Sequence, residues 1–278
     1  MKNLILTISI GNRPWSDLSI DSMQKYAKRI GAHLKVIRKY NVHKKFNFRM
    51  GLNNNPAYLI KLLAINDAFK KGYDRIIFLD DACIVSEDCP NLFKVVPKQL
   101  FGVHNEGSIS WVKSSVATIK SWESKGDDFR NVATPQNYVN VGVMVMSKEY
   151  HRDIFNHDKI IEHGEQGFFH NGYPEQTYIN WMLNYYRRGV FHLPSIFNKM
   201  VLLPNRLNNK RVNYENYTIE EVKWACLPHF WHQGDFSWLT KDNTKIGDVA
   251  GAFIYHITSI YEESCRNSLI KRLHEIKV

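Results

Sequence analysis

Short apolar runs alternate along the chain with stretches in which apolar residues recur every three or four positions, the pattern of strands interleaved with helices. Residues 4–10, LILTISI, form a β-branched run that predicts a buried first strand. Ser16–Ile30 carries Leu18, Met23, Ala27 and Ile30 at helical spacing, with Ser16 and Asp17 as capping candidates and Gly31 as its stop. His33–Ile37 then completes a β-α-β unit, a connection that strand and helix handedness make parallel and right-handed. Pro56 suits the first position of the next helix, which ends at Gly72. Residues 73–79 follow as a strand containing four consecutive apolar positions, Ile76, Ile77, Phe78 and Leu79. Downstream, residues 100–103 and 140–147, Val190–Leu193 and the GAFIYHITS segment read as strands, and Glu175 and Gln176 open a helix just after Pro174. The alternation predicts an α/β fold with a mostly parallel central sheet flanked by helices.

The residues 73–79 strand runs straight into Asp80 and Asp81. Carboxylates at the end of such a strand lie on the carboxyl edge of the sheet, where open α/β folds place their ligand crevice. Two adjacent like charges need a positive partner, and a divalent ion carrying a phosphate would supply it. The plain alternative is a turn opened by two aspartates. Asp127 and Asp128 sit in a Lys- and Ser-rich context and read as a solvated turn. In residues 140–147 an Asn precedes an apolar strand interrupted by Gly142, a sign of close backbone or ligand approach, or of a bulge. Residues 43–55, HKKFNFRMGLNNN, are basic and aromatic without period. They read either as a lid over an anion or RNA patch, or as a surface loop with its aromatics tucked down.

Composition narrows the partners without choosing among them. The 278 residues allow one large α/β domain or two small ones, and 44% hydrophobic with 23% charged content is ordinary for a globular chain. A formal charge of +10 points to an anionic partner. Cys83, Cys89, Cys226 and Cys265 lack CxxC spacing, which predicts free thiols in a reducing compartment rather than a zinc site. No segment reaches the ~20 apolar residues of a membrane span, and the first residues do not read as a leader. The expected location is cytoplasmic, with peripheral membrane contact open, and the sequon at Asn216 is expected to be unused. Only Gly11 occupies the first turn, so the dinucleotide fingerprint is absent. His256 ends an apolar strand and His232 lies in an aromatic stretch; either imidazole can join carboxylates around a metal, or serve the structure alone.

In their order these stretches resemble the GT-A-fold glycosyltransferases, in particular families 8 and 34 and their small viral and bacterial relatives. The shared motifs are a Pro-aromatic-x-x-Lys helix (Pro56, Tyr58, Lys61), an apolar strand ending in Leu79 and Asp80–Asp81, and NxGV (Asn140, Gly142, Val143). An acidic-Gln helix start (Glu175, Gln176) and a late F-I-x-H strand (Phe253, Ile254, His256, Ser259) complete the set. The resemblance implies a Rossmann-like nucleotide-diphospho-sugar transferase fold over residues 1–278, with a donor-binding core in 1–200 and a C-terminal part, 201–278, completing the metal and acceptor site.

It further implies transfer of a sugar from a nucleoside-diphosphate sugar to a hydroxyl of a glycan or glycoconjugate, assisted by Mn²⁺ or Mg²⁺ on Asp80, Asp81 and His256. Thr7, Ile8, Ser9, Lys61, Asp80, Asn140 and Gly142 are the implied donor-binding residues, and Glu175 and Gln176 the implied catalytic pair. No nucleic-acid partner is implied. One departure stands out: Ala82 occupies the position of the family's second aspartate. Asp81 as a shifted ligand, Asp80 with His256 and water, or loss of metal dependence are the three outcomes it allows. The competing readings are a phosphatase with Asp on a strand end, which lacks its second Asp here, a basic RNA-binding module, and a glycan binder with a degenerate site.

Overall fold

The computed structural model describes residues 1–11, 16–51, 55–105, 115–117, 119, 138–169, 173–194, 197–202 and 254–258. Asp127, Asp128, Asn216, Cys226, His232, Phe253, Ser259 and Cys265 fall outside these, as does nearly all of the expected C-terminal part.

The first half follows the predicted alternation. Strand β1 is Asn3–Ile8, helix α1 Ser16–Ile30, β2 His33–Ile37, α2 Pro56–Lys70 and β3 Arg75–Leu79. A short strand β4, Cys83–Val85, and one turn of helix α3, Leu92–Val95, precede β5, Phe101–Asn105. Then come β6, Val139–Ser147, α4, Lys148–His151, α5, His157–Glu165, α6, Pro174–Tyr185, and β7, Val190–Leu193. Strands β8, Lys199–Leu202, and β9, Ile254–Thr258, close the described chain. Asn55 caps α2 by accepting the Ala57 N–H at 3.0 Å, with Pro56 inside the first turn where a missing N–H costs nothing.

Six strands form the central sheet in the order β2-β1-β3-β6-β5-β7. Pairs β1–β2, β1–β3 and β5–β7 are parallel, whereas β6 runs antiparallel to both β3 and β5. The expected mostly parallel sheet is therefore present, with β6 as its one reversed strand. All nine residues of β6 are buried, as a strand flanked on both edges and both faces must be. Because the chain leaves β1 for β2 on one side and returns to β3 on the other, the carboxyl ends of β1 and β3 flank a topological switch point.

Side chains alternate across the sheet into two cores. Leu4 and Leu6 of β1, Ile76 and Phe78 of β3, and Met144 and Met146 of β6 pack with α2 and α6. Ile5, Ile77, Leu79, Val143 and Val145 pack on the other face with Met23, Tyr26 and Ala27 of α1. Ten residues of α2 are buried in one helix, which makes it apolar nearly all round and places Lys61 inside the core. A second, three-stranded sheet has the order β4-β9-β8, and it was not predicted: β4 is three residues long and directly follows the Asp80–Asp81 turn.

The basic and aromatic loop before α2 is anchored rather than lid-like. Phe46 is buried with its ring edge on His157, and Phe48 stacks on Phe169 with centroids 5.4 Å apart. The Phe48 ring lies so close to Gly164 of α5 that a Cβ there would meet it at 2.5 Å. Gly51 N–H donates to Phe169 O at 2.6 Å, and Met50 is buried. Aromatics tucked in this way offer no stacking platform to bases, so the RNA-patch reading of this loop loses its physical basis.

At the far end of β6, His151 is fully buried and its Nδ1 accepts the Ser147 N–H at 2.9 Å. Burial, with the nearby Arg188 charge, pushes its pKa down to about 4. The neutral form is thus favoured in the fold; stability is complete above the ordinary value of 6.5 and drains away as pH falls towards 4. About 2 kcal/mol is expected to be lost between pH 7 and pH 5 through this one group. Urea unfolding at the two pH values checks it, and His151→Asn should flatten the difference. An unchanged pH slope in that variant would assign the effect elsewhere.

Candidate active site

The side chains that converge at the carboxyl edge come from α2, β3, β6 and α6. Asp80 follows Leu79 on the face occupied by Phe78, and this is the face towards α2. Lys61 Nζ lies 3.0 Å from Asp80 Oδ1 and 3.2 Å from Glu175 Oε1, with Val141 O at 3.5 Å and the Phe78 ring centroid at 5.0 Å. Its three ammonium hydrogens thereby match three oxygen acceptors. Burial would lower the Lys61 pKa, but the Asp80 and Glu175 carboxylates outweigh it and hold the value above the ordinary 10.5. The bridge therefore stabilises the fold in full below pH 10.5 and weakens only as pH rises through the higher folded value.

Glu175 sits in the first turn of α6, where its charge complements the unpaired backbone donors. It is 5% exposed, and while Oε1 meets Lys61, the buried Oε2 has no hydrogen-bond partner among the described residues. A carboxylate oxygen in that position is an acceptor awaiting a donor. Tyr58, one helical turn before Lys61, is half-buried; burial and then the Glu175 charge push its hydroxyl up to about 12. The phenol therefore remains a neutral hydrogen-bond donor at the rim of the carboxylates.

The NxGV stretch is a bulge. Register on β5 passes from Val103↔Met144 to His104↔Asn140, so Val141, Gly142 and Val143 have no partner there. Side chains take over the freed backbone groups. Val141 N–H donates to Gln176 Oε1 at 3.3 Å, Val141 O faces Lys61, and Gly142 N–H donates to Asn140 Oδ1 at 2.8 Å. Gly142 O accepts from Asp80 N–H at 2.8 Å and so ties the bulge to the aspartate turn. Asn198 Nδ2 adds a 2.9 Å bond to Asn140 Oδ1.

Asp81 is 5% exposed, in a turn closed by the Cys83 N–H on Asp80 O at 2.9 Å, whereas the Asp80 side chain is 29% exposed and reaches the crevice. Burial, then the charges of Asp80 and Asp81, push the Cys83 thiol well up, keeping it protonated beside them. Antiparallel register sets His256 directly opposite Cys83, three residues beyond Asp80. At the neighbouring strand ends, Thr7 and Ser9 are buried at the close of β1 and Ile8 is partly buried. Arg38 Nη1 bonds Ser9 Oγ at 3.3 Å and Ser16 Oγ at 3.2 Å, while Nη2 reaches Asp17 at 3.2 Å.

No protein-family model and no curated protein matches the sequence. Solved structures do match the fold. A glycosyltransferase involved in the glycosylation of the major capsid of PBCV-1 aligns over 98% of this chain and 99% of its own, with TM-score 0.55 at 10% identity. The apo-form glycosyltransferase GlyE of Streptococcus pneumoniae TIGR4 aligns over 98% of this chain and 60% of its own, with TM-score 0.51 at 12% identity. The chain has the GT-A fold.

In this GT-A chain the structure brings together Lys61, Asp80 and Glu175, and beside them Asn140, Gly142 and Gln176. Thr7, Ile8 and Ser9 lie at the end of β1, the parallel neighbour of β3 with Leu6 opposite Phe78, and so face the cluster from the other side of the switch point. For His256 the placement is one of backbone register. Among the described residues no three His, Cys, Asp or Glu side chains form a ready metal cluster. Sequence reasoning missed Arg38, Asn198 and the place of Tyr58 at the rim. Arg38 was within reach of the rule that found Asp80, since it immediately follows β2 on the same carboxyl edge. Asn198 had no signal, lying 58 residues from the Asn140 it bonds.

Proposed function

We propose that the protein transfers a sugar from a nucleoside-diphosphate sugar to a hydroxyl of a glycan or glycoconjugate acceptor. The observation that carries this reading is the buried Lys61 bridge between Asp80 and Glu175, set beside the switch-point crevice of a GT-A sheet. The crevice supplies the place for the nucleotide, with Thr7, Ile8 and Ser9 on its β1 wall for base and ribose. Glu175 Oε2 accepts a sugar or acceptor hydroxyl, and in an inverting reaction the same oxygen takes the acceptor's proton. Lys61 fixes both carboxylates, and Gln176 and Asn140 hold the β6 bulge that forms the wall beneath the transferred sugar.

Asp80 offers an ion a carboxylate that reaches the crevice. Asp80 and Glu175 bring two carboxylates against the single ammonium of Lys61, an excess of one negative charge where an anionic diphosphate has to bind, and Asp81 follows in the same turn. Asp80, Asp81 and His256 are the residues that would hold Mn²⁺ or Mg²⁺ there. When bound, such an ion supplies Lewis-acid neutralisation of the charge that develops on the leaving diphosphate.

Thermal shifts with UDP, GDP, CDP, ADP and dTDP, each with and without Mn²⁺, test the reading. A nucleotide at 100 times its dissociation constant stabilises the fold by about 2.7 kcal/mol, a rise of roughly 5 °C or more at this size. One nucleotide acting only with Mn²⁺ is the expected result. A chain that responds to no nucleotide under either condition would overturn the transferase proposal.

A further inference from the structure

A cleft of about 480 Å³ opens at the other edge of the central sheet, where β1 and β3 begin and β6 ends. It lies about 17 Å along β6 from the Gly142 bulge, at the rise of an extended strand, so it is no part of the donor crevice. Four cationic side chains line it, Arg75, Lys98, Lys148 and Arg152, against two carboxylates, Asp74 and Glu149, a side-chain excess of +2 (four minus two), and Met1 lies beside them. Arg75 is 3% exposed, yet the acceptors that hold it are neutral. Its Nε donates to Ser147 Oγ at 3.1 Å, Nη2 to Val96 O at 2.8 Å, and Nη1 to Phe93 O. A guanidinium does not shed its proton, so burial among neutral oxygens leaves its charge to be answered from the cleft. Ser147 also lines the cleft, and because its Oγ accepts from Arg75, its own hydroxyl hydrogen remains to be donated.

We infer that this cleft is a second, oxyanion-binding site that takes a small phosphate monoester. A side-chain excess of positive charge suits a dianion such as a phosphomonoester. Guanidinium and ammonium donors converging from several directions suit a tetrahedral group better than a flat carboxylate. The volume falls within the range of small-molecule sites and exceeds what a bare phosphate fills, which leaves room for the ester's organic body. Lys98 and Arg152 are exposed and reach it from outside, whereas Arg75 and Ser147 form the fixed floor. The inference is independent of the donor site and stands whether or not sugar transfer is the reaction.

Calorimetric titration of the full chain with glycerol phosphate, at an ionic strength matched by chloride, tests it, with inorganic phosphate as a second titrant. Saturable binding of the ester is expected, weakened at least tenfold in Lys98→Gln/Arg152→Gln, while inorganic phosphate binds less tightly. Both substituted residues are exposed, so the variant should melt like the parent and keep its nucleotide response. Heats no larger than those of chloride, or a double variant that binds the ester as the parent does, would overturn the site. Inorganic phosphate binding as tightly as the ester would overturn the choice of ligand.

Discussion

Lys61→Met is expected to cost the fold about 3–5 kcal/mol, the usual penalty for removing one partner of a buried ion pair. Methionine matches the volume of the lysine stem, so packing against Phe78 survives and the loss is electrostatic. Two carboxylates, Asp80 and the buried Glu175, are left facing each other without the ammonium that lies 3.0 and 3.2 Å from them. Adding Glu175→Gln to the variant removes one of those charges and should return more than 1 kcal/mol, a coupling that a double-mutant cycle measures directly. Denaturant unfolding of the four proteins provides the numbers. A Lys61→Met loss below 1 kcal/mol, or one that Glu175→Gln does not relieve, would show that the bridge is not what compensates the two acids.

Asp80→Asn should do the reverse, sparing the fold and removing the chemistry. Glu175 remains to balance Lys61, one carboxylate against one ammonium, and asparagine keeps the shape of the turn. On the proposed reading the carboxylate that reaches the crevice is lost, and transfer or hydrolysis of the donor is expected to fall by about 10²–10³, the magnitude typical of removing one preorganised electrostatic contact. The Mn²⁺-dependent part of the nucleotide thermal shift should vanish with it. Undiminished turnover in a normally folded Asp80→Asn protein would remove this residue from the reaction.

The sequence was readable where local chemistry and position in the fold coincide. Asp80 was legible because an apolar strand ends on it, and the Ser16–Ile30 and Pro56–Lys70 helices because spacing, cap and stop agree. What failed was pairing at a distance. Nothing in residues 56–70 says that Lys61 will meet Glu175, 114 positions later, and nothing near Val141 says that Gln176 and Lys61 will take its backbone groups. Helix α5 went unseen because its nine residues include a glycine and few apolar positions; its buried face is Ile160, His163 and Gly164, with the Phe48 ring packed on the glycine. The loop of residues 43–55 allowed two readings for a related reason: lysines and phenylalanines side by side suit a ligand-facing surface as well as a loop with its aromatics tucked down, and the tertiary partners of Phe46 and Phe48 decide for the second.

The one reversed strand also fixes the order in which the chain can be completed. β6 fills the gap between β3 and β5, pairing Arg75–Leu79 with residues about 70 positions later in synthesis. Until residue 147 has left the ribosome, β3 presents an open edge, apolar from Ile76 to Leu79, and β5 has no central neighbour to join. Such an edge is a template for pairing with other chains. The interval between the emergence of β3 and the arrival of β6 is therefore the stretch of biogenesis in which this protein depends most on protection from its own copies.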